Sequence, residues 1–182
     1  METKTTITTQ KQSLSISIAE FLLMFFLGAF AMVLHAKFRF PLNLPGRHGL
    51  EFMMLLLIGR NLTQLRFSGF ASSLGVSAML FVPFLGFHDP FMAAVFILPG
   101  IAIDIFYNVF PAQNKKIWML ALASGIAYSL IPISRIIISY FTGFVYESLI
   151  TGLLFPVFTH FVFGFTGGLG GTAIVKAFGK KK

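Results

Sequence analysis

Ile117-Trp-Met-Leu-Ala-Leu-Ala-Ser-Gly-Ile-Ala-Tyr-Ser-Leu-Ile-Pro-Ile-Ser-Arg-Ile-Ile-Ile-Ser-Tyr-Phe141 is a run longer than the roughly 20 residues a helix needs to cross a bilayer, and it holds one charge, Arg135. Five further apolar stretches flank it, at about 14–36, 49–62, 67–87, 90–110 and 148–178. Their spacing predicts an all-α, polytopic membrane protein: a six-transmembrane-helix bundle filling residues 1–182 as one integral-membrane domain. Stretch 49–62 is short for a full crossing, which implies tilt or shielding by its neighbours.

Alternate gaps between the stretches carry very different charge. Lys4, Lys11, Arg60, Arg66, Lys115, Lys116, Lys176, Lys180, Lys181 and Lys182 fall on one side, against Lys37, Arg39 and Arg47 on the other. Basic residues are retained on the cytoplasmic side during insertion, so both termini are expected in the cytoplasm of a prokaryotic inner or plasma membrane. The polar start, Met1 to Ser13, then reads as the lead-in to an uncleaved first span.

Composition agrees, with 56% hydrophobic residues, 11% charged residues and a mean hydropathy of +0.84. The net charge of +8 is scattered over helix ends and forms no stripe that would read nucleic acid, so the bilayer is the expected large partner. Cysteine is absent, which removes disulfides, thiolate metal sites and a cysteine nucleophile. No Gly-x-x-x-x-Gly-Lys-Ser/Thr loop is present, so any nucleotide hydrolysis must come from a partner. Pro83, Pro99, Pro132 and Pro156 fall within the predicted spans and are expected to bend them.

The polar residues sort into two layers. On the predicted outer side lie His35, Asn43, Arg47, His48, Glu51, His88, Asp89, Arg135 and Glu147. An arginine inside a span costs about 2.5–3.5 kcal/mol on insertion scales and so faces a partner or a cavity. Arg135 reads as a clamp for an anionic group of a solute, as a structural pair with Glu51 or Glu147, or as a side chain snorkelling to the outer headgroups. His35, His48 and His88 lack a local ligand spacing, and no metal or cofactor is expected. Toward the opposite side, Asp104, Tyr107 and Asn108 share a helix face and Asp104 is expected to meet Arg60. His160 sits at mid-depth of the last span, as a cavity contact or an interhelical bond.

Small residues supply another signal. Gly164 and Gly168, with Gly167 and Gly171, make two overlapping Gly-x-x-x-Gly patterns, and Gly28, Ala29 and Ala31 thin the first span. Such faces admit close helix approach, either inside the chain or against another membrane protein.

Six spans, a Pro-rich loop after the first, and the runs Leu74-Gly-Val-Ser-Ala-Met-Leu-Phe-Val-Pro83 and Pro99-Gly-Ile-Ala-Ile-Asp104 give the whole chain a resemblance to the substrate-binding S components of energy-coupling-factor (ECF) transporters. The resemblance implies a small subunit that captures a vitamin or cofactor-like solute, planar or anionic, for ATP-driven uptake. A transmembrane coupling subunit and ATPase subunits would be its partners. It makes Asn43, Pro45, Arg47 and His48 lid residues, and Gly28, Ala29 and Ala31 docking residues. With the residues above, the substrate-binding set is Arg135, Glu51, Arg47, His48, Asn43, His35, His88 and His160, and Gly164 and Gly168 join the docking set.

The chain is not expected to be an enzyme. A membrane enzyme acting on lipid-linked substrates is the alternative, but no Asp-rich pair, His-Glu-x-x-His or serine-histidine constellation is present, and Gly75-Val-Ser77-Ala78 only faintly resembles the Gly-x-Ser-Gly of rhomboid proteases. A scaffold or assembly factor held by its glycine faces is the third possibility.

Overall fold

The computed structural model describes residues 2–37, 44–110, 116–150 and 152–179, with side chains from residue 17 onward, residue 84 aside. Among the described residues every regular element is helical: α1 (Glu2–Lys37), α2 (Gly49–Leu62), α3 (Ser68–Leu80), α4 (Met92–Val109), α5 (Ile117–Thr142) and α6 (Leu154–Gly179). Short 3₁₀ turns occupy Pro83–Leu85 and Glu147–Leu149. Four segments are long and apolar enough to cross a membrane, Ser17–Lys37, Met92–Val109, Ile117–Thr142 and Leu154–Phe178, which makes this a multi-pass helical membrane protein.

The two remaining helices are shorter. At a rise of 1.5 Å per residue, α2 and α3 are each about 20 Å long, less than a bilayer's roughly 30 Å hydrocarbon core. The expected third span to Phe87 stops at Leu80 because Pro83 disfavours helix at the residue before it: Val82 is extended (φ −82°, ψ 109°). Pro83 therefore opens a 3₁₀ turn and bends no helix. The sixth span starts at Leu154 and not 148, which puts Pro156 in the first turn, where its missing N–H breaks no helical bond. Only Pro99 and Pro132 lie inside helices.

Neighbouring helices close a ring in the order α1, α3, α4, α5, α6, α2 and back to α1. Inside it lies an apolar core built on Met53, Leu56, Leu57, Val76, Ile103, Leu120 and Ile131, each at most 1% exposed. Outward-facing Phe26, Ile126, Phe158 and Phe178 are all more than half exposed, as residues solvated by lipid are.

Glycine sets the spacing of this ring. Gly28 meets Ser72 and Gly75 meets the backbone of Phe25 across α1 and α3, while Gly100 meets Gly69 across α3 and α4. The two patterns in α6 serve different neighbours: Gly164 and Gly168 sit on Ser124 of α5, and Gly167 and Gly171 on Leu50 and Met54 of α2. The docking set is thus corrected to internal packing. Gly28, Ala31, Gly164 and Gly168 are buried within the chain, and Ala29 is half-buried beside Gly75.

Candidate functional site: a ring-lined cavity at the Arg135 end

Four helices and one turn bring their polar residues to a single end of the bundle. His35 comes from the last turn of α1, His48 from the N-cap of α2, Tyr128 and Arg135 from α5 and His160 from the second turn of α6. They line a cavity of about 170 Å³, together with Phe96 and the Pro45-Gly46 turn. Phe52, Phe96, Tyr128 and Val76, with His35 and His48, also line an adjoining gap of about 10 Å³, space for no more than one water.

The walls are rings. His35 and His48 lie 3.6 Å apart by ring centroid, Tyr128 stacks on His160 at 5.1 Å, and Phe52 bridges Phe96 and Tyr128 at 6.2 and 6.1 Å. His160 Nδ1 lies 2.7 Å from the Pro156 carbonyl, which can only accept, so this nitrogen carries the proton. For His48 the neighbours choose the same tautomer by a different route. Arg47 Nε donates to His48 Nε2 at 3.1 Å, leaving the proton on Nδ1, which faces Glu51 Oε2 at 3.5 Å. Burial, and then the charge of Arg47, pull the His48 pKa down to about 4, so the ring is neutral at pH 7.

The turn above the cavity depends on one glycine. Gly46 has φ +81°, which favours glycine, and a Cβ there would collide with the His160 ring. Hydrogen bonds from Arg47 N to Leu44 O (3.4 Å) and Gly49 N to Gly46 O (2.8 Å) fix this turn against α2.

Among the described residues Arg135 is the one arginine or lysine lining the cavity, and its expected partner is corrected. Nη2 faces Asp89 Oδ2 at 3.7 Å, while Glu51 turns to His48 and Glu147 is exposed in its 3₁₀ turn. Pairing follows the helix ring: Asp89, just before α4, lies beside the end of α5. The contact is longer than a charge-assisted hydrogen bond, and Arg135 Nε and Asp89 Oδ2 are buried without hydrogen-bond partners. Asp89 Oδ1 is already used, accepting the Phe91 N–H at 2.9 Å. The guanidinium also sits 5.3 Å from the Tyr146 ring centroid.

Of the expected binding residues, Arg135, His48, His35 and His160 converge on the cavity, with Glu51 and Arg47 behind His48. His88 does not join them; it is exposed and lines a separate hollow of about 330 Å³ between α3 and α4. Asn43 lies outside the described residues. Another hollow of about 330 Å³, between α4 and α5, is lined by Ile105, Phe106, Phe110, Met119 and other apolar groups. Though smaller, the cavity at Arg135 is the better candidate, because there rings and a charge from four helices meet. Sequence reading missed Tyr128, although its spacing of seven residues from Arg135 places both on one face of α5. Ser77 is engaged in packing, its hydroxyl donating to the Ala93 carbonyl at 2.7 Å.

Among the described residues no group of three or more His, Cys, Asp or Glu is arranged to hold a metal. What the site defines is a helical membrane protein with an end cavity built from aromatic rings and one under-satisfied arginine. Comparison with protein-family models, curated proteins and solved structures finds no match.

Proposed function

We propose that this chain is the membrane-embedded solute-binding subunit of an ECF-type importer, which captures a vitamin-like or cofactor-like micronutrient from outside for uptake driven by partner ATPases. The observation that carries it is the convergence of His35, His48, Tyr128, His160 and Arg135 on one cavity beneath a turn held by Gly46. Concave, ring-walled sites with a few polar groups are where small molecules bind. In this reading all six helices cross, α2 and α3 being short helices protected from lipid by their neighbours, and both termini are cytoplasmic. The Arg135 end then faces outward and the Pro45-Gly46 turn is the lid. Because Gly28, Ala31, Gly164 and Gly168 are occupied inside the bundle, a coupling subunit would meet exposed side chains such as Leu23 and Phe26 of α1.

The test is a mass-spectrometric search for a small molecule retained by the purified protein, with binding across a panel of vitamins, haem and cobalamin. Saturable binding of one compound is expected, with uptake in cells only when coupling and ATPase subunits are present. Absence of any retained or bound compound would overturn the reading.

A further inference from the structure

We propose that the cavity at Arg135 takes a single-ring aromatic carboxylate, its ring against Tyr128 and His160 and its anionic group on Arg135. This rests on the solute-binding reading and narrows it. Size is the first argument. A cavity of about 150 Å³ is enough for a benzene ring, so about 170 Å³ fits one ring with a small substituent and is small for a macrocycle or a dinucleotide.

Shape and surface come next. His35, His48, Phe96, Tyr128 and His160 present π faces or edges on several sides, and ring stacking is the interaction such walls offer beyond apolar burial. Because His48 Nε2 accepts from Arg47 that ring is neutral, and His160 has Nδ1 engaged by the Pro156 carbonyl, so each ring has one nitrogen held by a neighbour.

Charge decides the substituent. Among the described residues Arg135 is the only arginine or lysine lining the cavity, and none of those lining it is a carboxylate. Its Nε–H is buried with no acceptor, and Asp89 at 3.7 Å is too distant to complete the fork. A guanidinium carries five donors in one plane and a carboxylate fits two of them side by side. A ligand carboxylate therefore satisfies a donor that the folded chain leaves unpaired, while Asp89 keeps its place at Phe91.

Isothermal titration calorimetry on the purified full chain in detergent, with benzoate, benzamide and cyclohexanecarboxylate as probes, tests this. Benzoate is expected to bind at least about tenfold more tightly than the other two, since the amide loses the charge and the saturated ring loses stacking. In Arg135→Gln the preference of acid over amide should vanish, and in Tyr128→Leu the preference of benzoate over the saturated acid should vanish. If either variant fails to fold, the ranking on the unaltered protein decides alone. Equal binding of acid and amide, or no benzoate binding, overturns the inference. A retained compound that is cationic, aliphatic or multi-ring overturns it while leaving the solute-binding reading intact; silence across the wider panel sinks both.

Discussion

The two ends of the bundle each hold an arginine near an aspartate, and they differ in what surrounds the pair. At one end Arg60 Nε approaches Asp104 Oδ1 at 3.4 Å, and Asp104 accepts the Gly69 and Phe70 N–H groups at 3.0 and 2.8 Å. Those donors are at the start of α3, so a carboxylate from α4 caps a neighbouring helix. Arg60 lies 4.4 Å from the Tyr107 ring centroid, Tyr107 donates to Asn61 at 3.1 Å, and Asn108 donates to the Asp104 carbonyl at 2.8 Å. At the other end Arg135 and Asp89 stand 3.7 Å apart beside a cavity. Neither arginine Nε makes a hydrogen bond, so the arginines alone do not distinguish the ends. The carboxylates and the empty volume do: one cluster is closed on itself and holds three helices together, while the other is left open toward a space that a ligand can fill.

Removing the aspartate at the closed end should have the largest effect. Asp104→Ala leaves Arg60 without its counter-charge and two backbone donors of α3 without acceptors. Loss of one partner from a buried pair costs about 3–5 kcal/mol. A pronounced fall in the thermal unfolding midpoint in detergent is expected. If Asp104→Ala melts like the unaltered protein but loses solute binding, the assignment of the two ends is reversed.

How much of this could be read in the sequence divides along similar lines. Helices α4 and α5 were visible as long apolar runs, because lipid imposes a composition that no packing detail can disguise. The Arg60 to Asp104 contact was also legible, since two lone charges in apolar helices have few alternatives. The ends of α3 and α6 were not, because apolarity continues past Leu80 and before Leu154 while Pro83 and Pro156 decide where helix geometry stops and starts. At the site, His35, His48 and Arg135 stood out as polar groups among apolar ones. Tyr128 and Phe96 did not, since a ring that lines a cavity and a ring that fills a core have the same composition. Asp89 was overlooked as the partner of Arg135 because adjacency of α4 and α5 is a property of the ring of helices, which short-range spacing does not encode.

Next in size is the turn over the cavity. Gly46→Ala adds a Cβ into the His160 ring and holds a non-glycine residue at φ +81°, a conformation that costs about 1–2 kcal/mol. The unfolding midpoint should fall modestly and solute dissociation should quicken as the turn lifts from His160. A variant with unchanged dissociation would detach the turn from the site. Arg135→Gln takes the counter-charge from the largely buried Asp89 carboxylate but leaves its bond from the Phe91 N–H in place, so the midpoint should fall less than in Asp104→Ala, which also orphans two backbone donors. Retention or binding of the solute should be lost, which is the opposite of the pattern expected for Asp104→Ala.

The smallest effect concerns acid. His48 has its pKa lowered to about 4 in the folded chain from 6.5, with burial the main cause and Arg47 the second. Between those values the unfolded chain binds the extra proton and the folded chain does not, so stability is full above pH 6.5 and declines as pH falls toward about 4. Protonation of Nε2 would remove the acceptor that Arg47 uses and set two positive groups 3.1 Å apart. Melting curves across this window should therefore show a downward slope toward acid, and His48→Gln should remove that component. Because His48 belongs to the cavity wall and not to the Asp104 cluster, bound solute should shift the slope if it holds the ring in place. An identical slope in His48→Gln would assign the acid sensitivity to other groups and detach it from the Arg47–His48 contact.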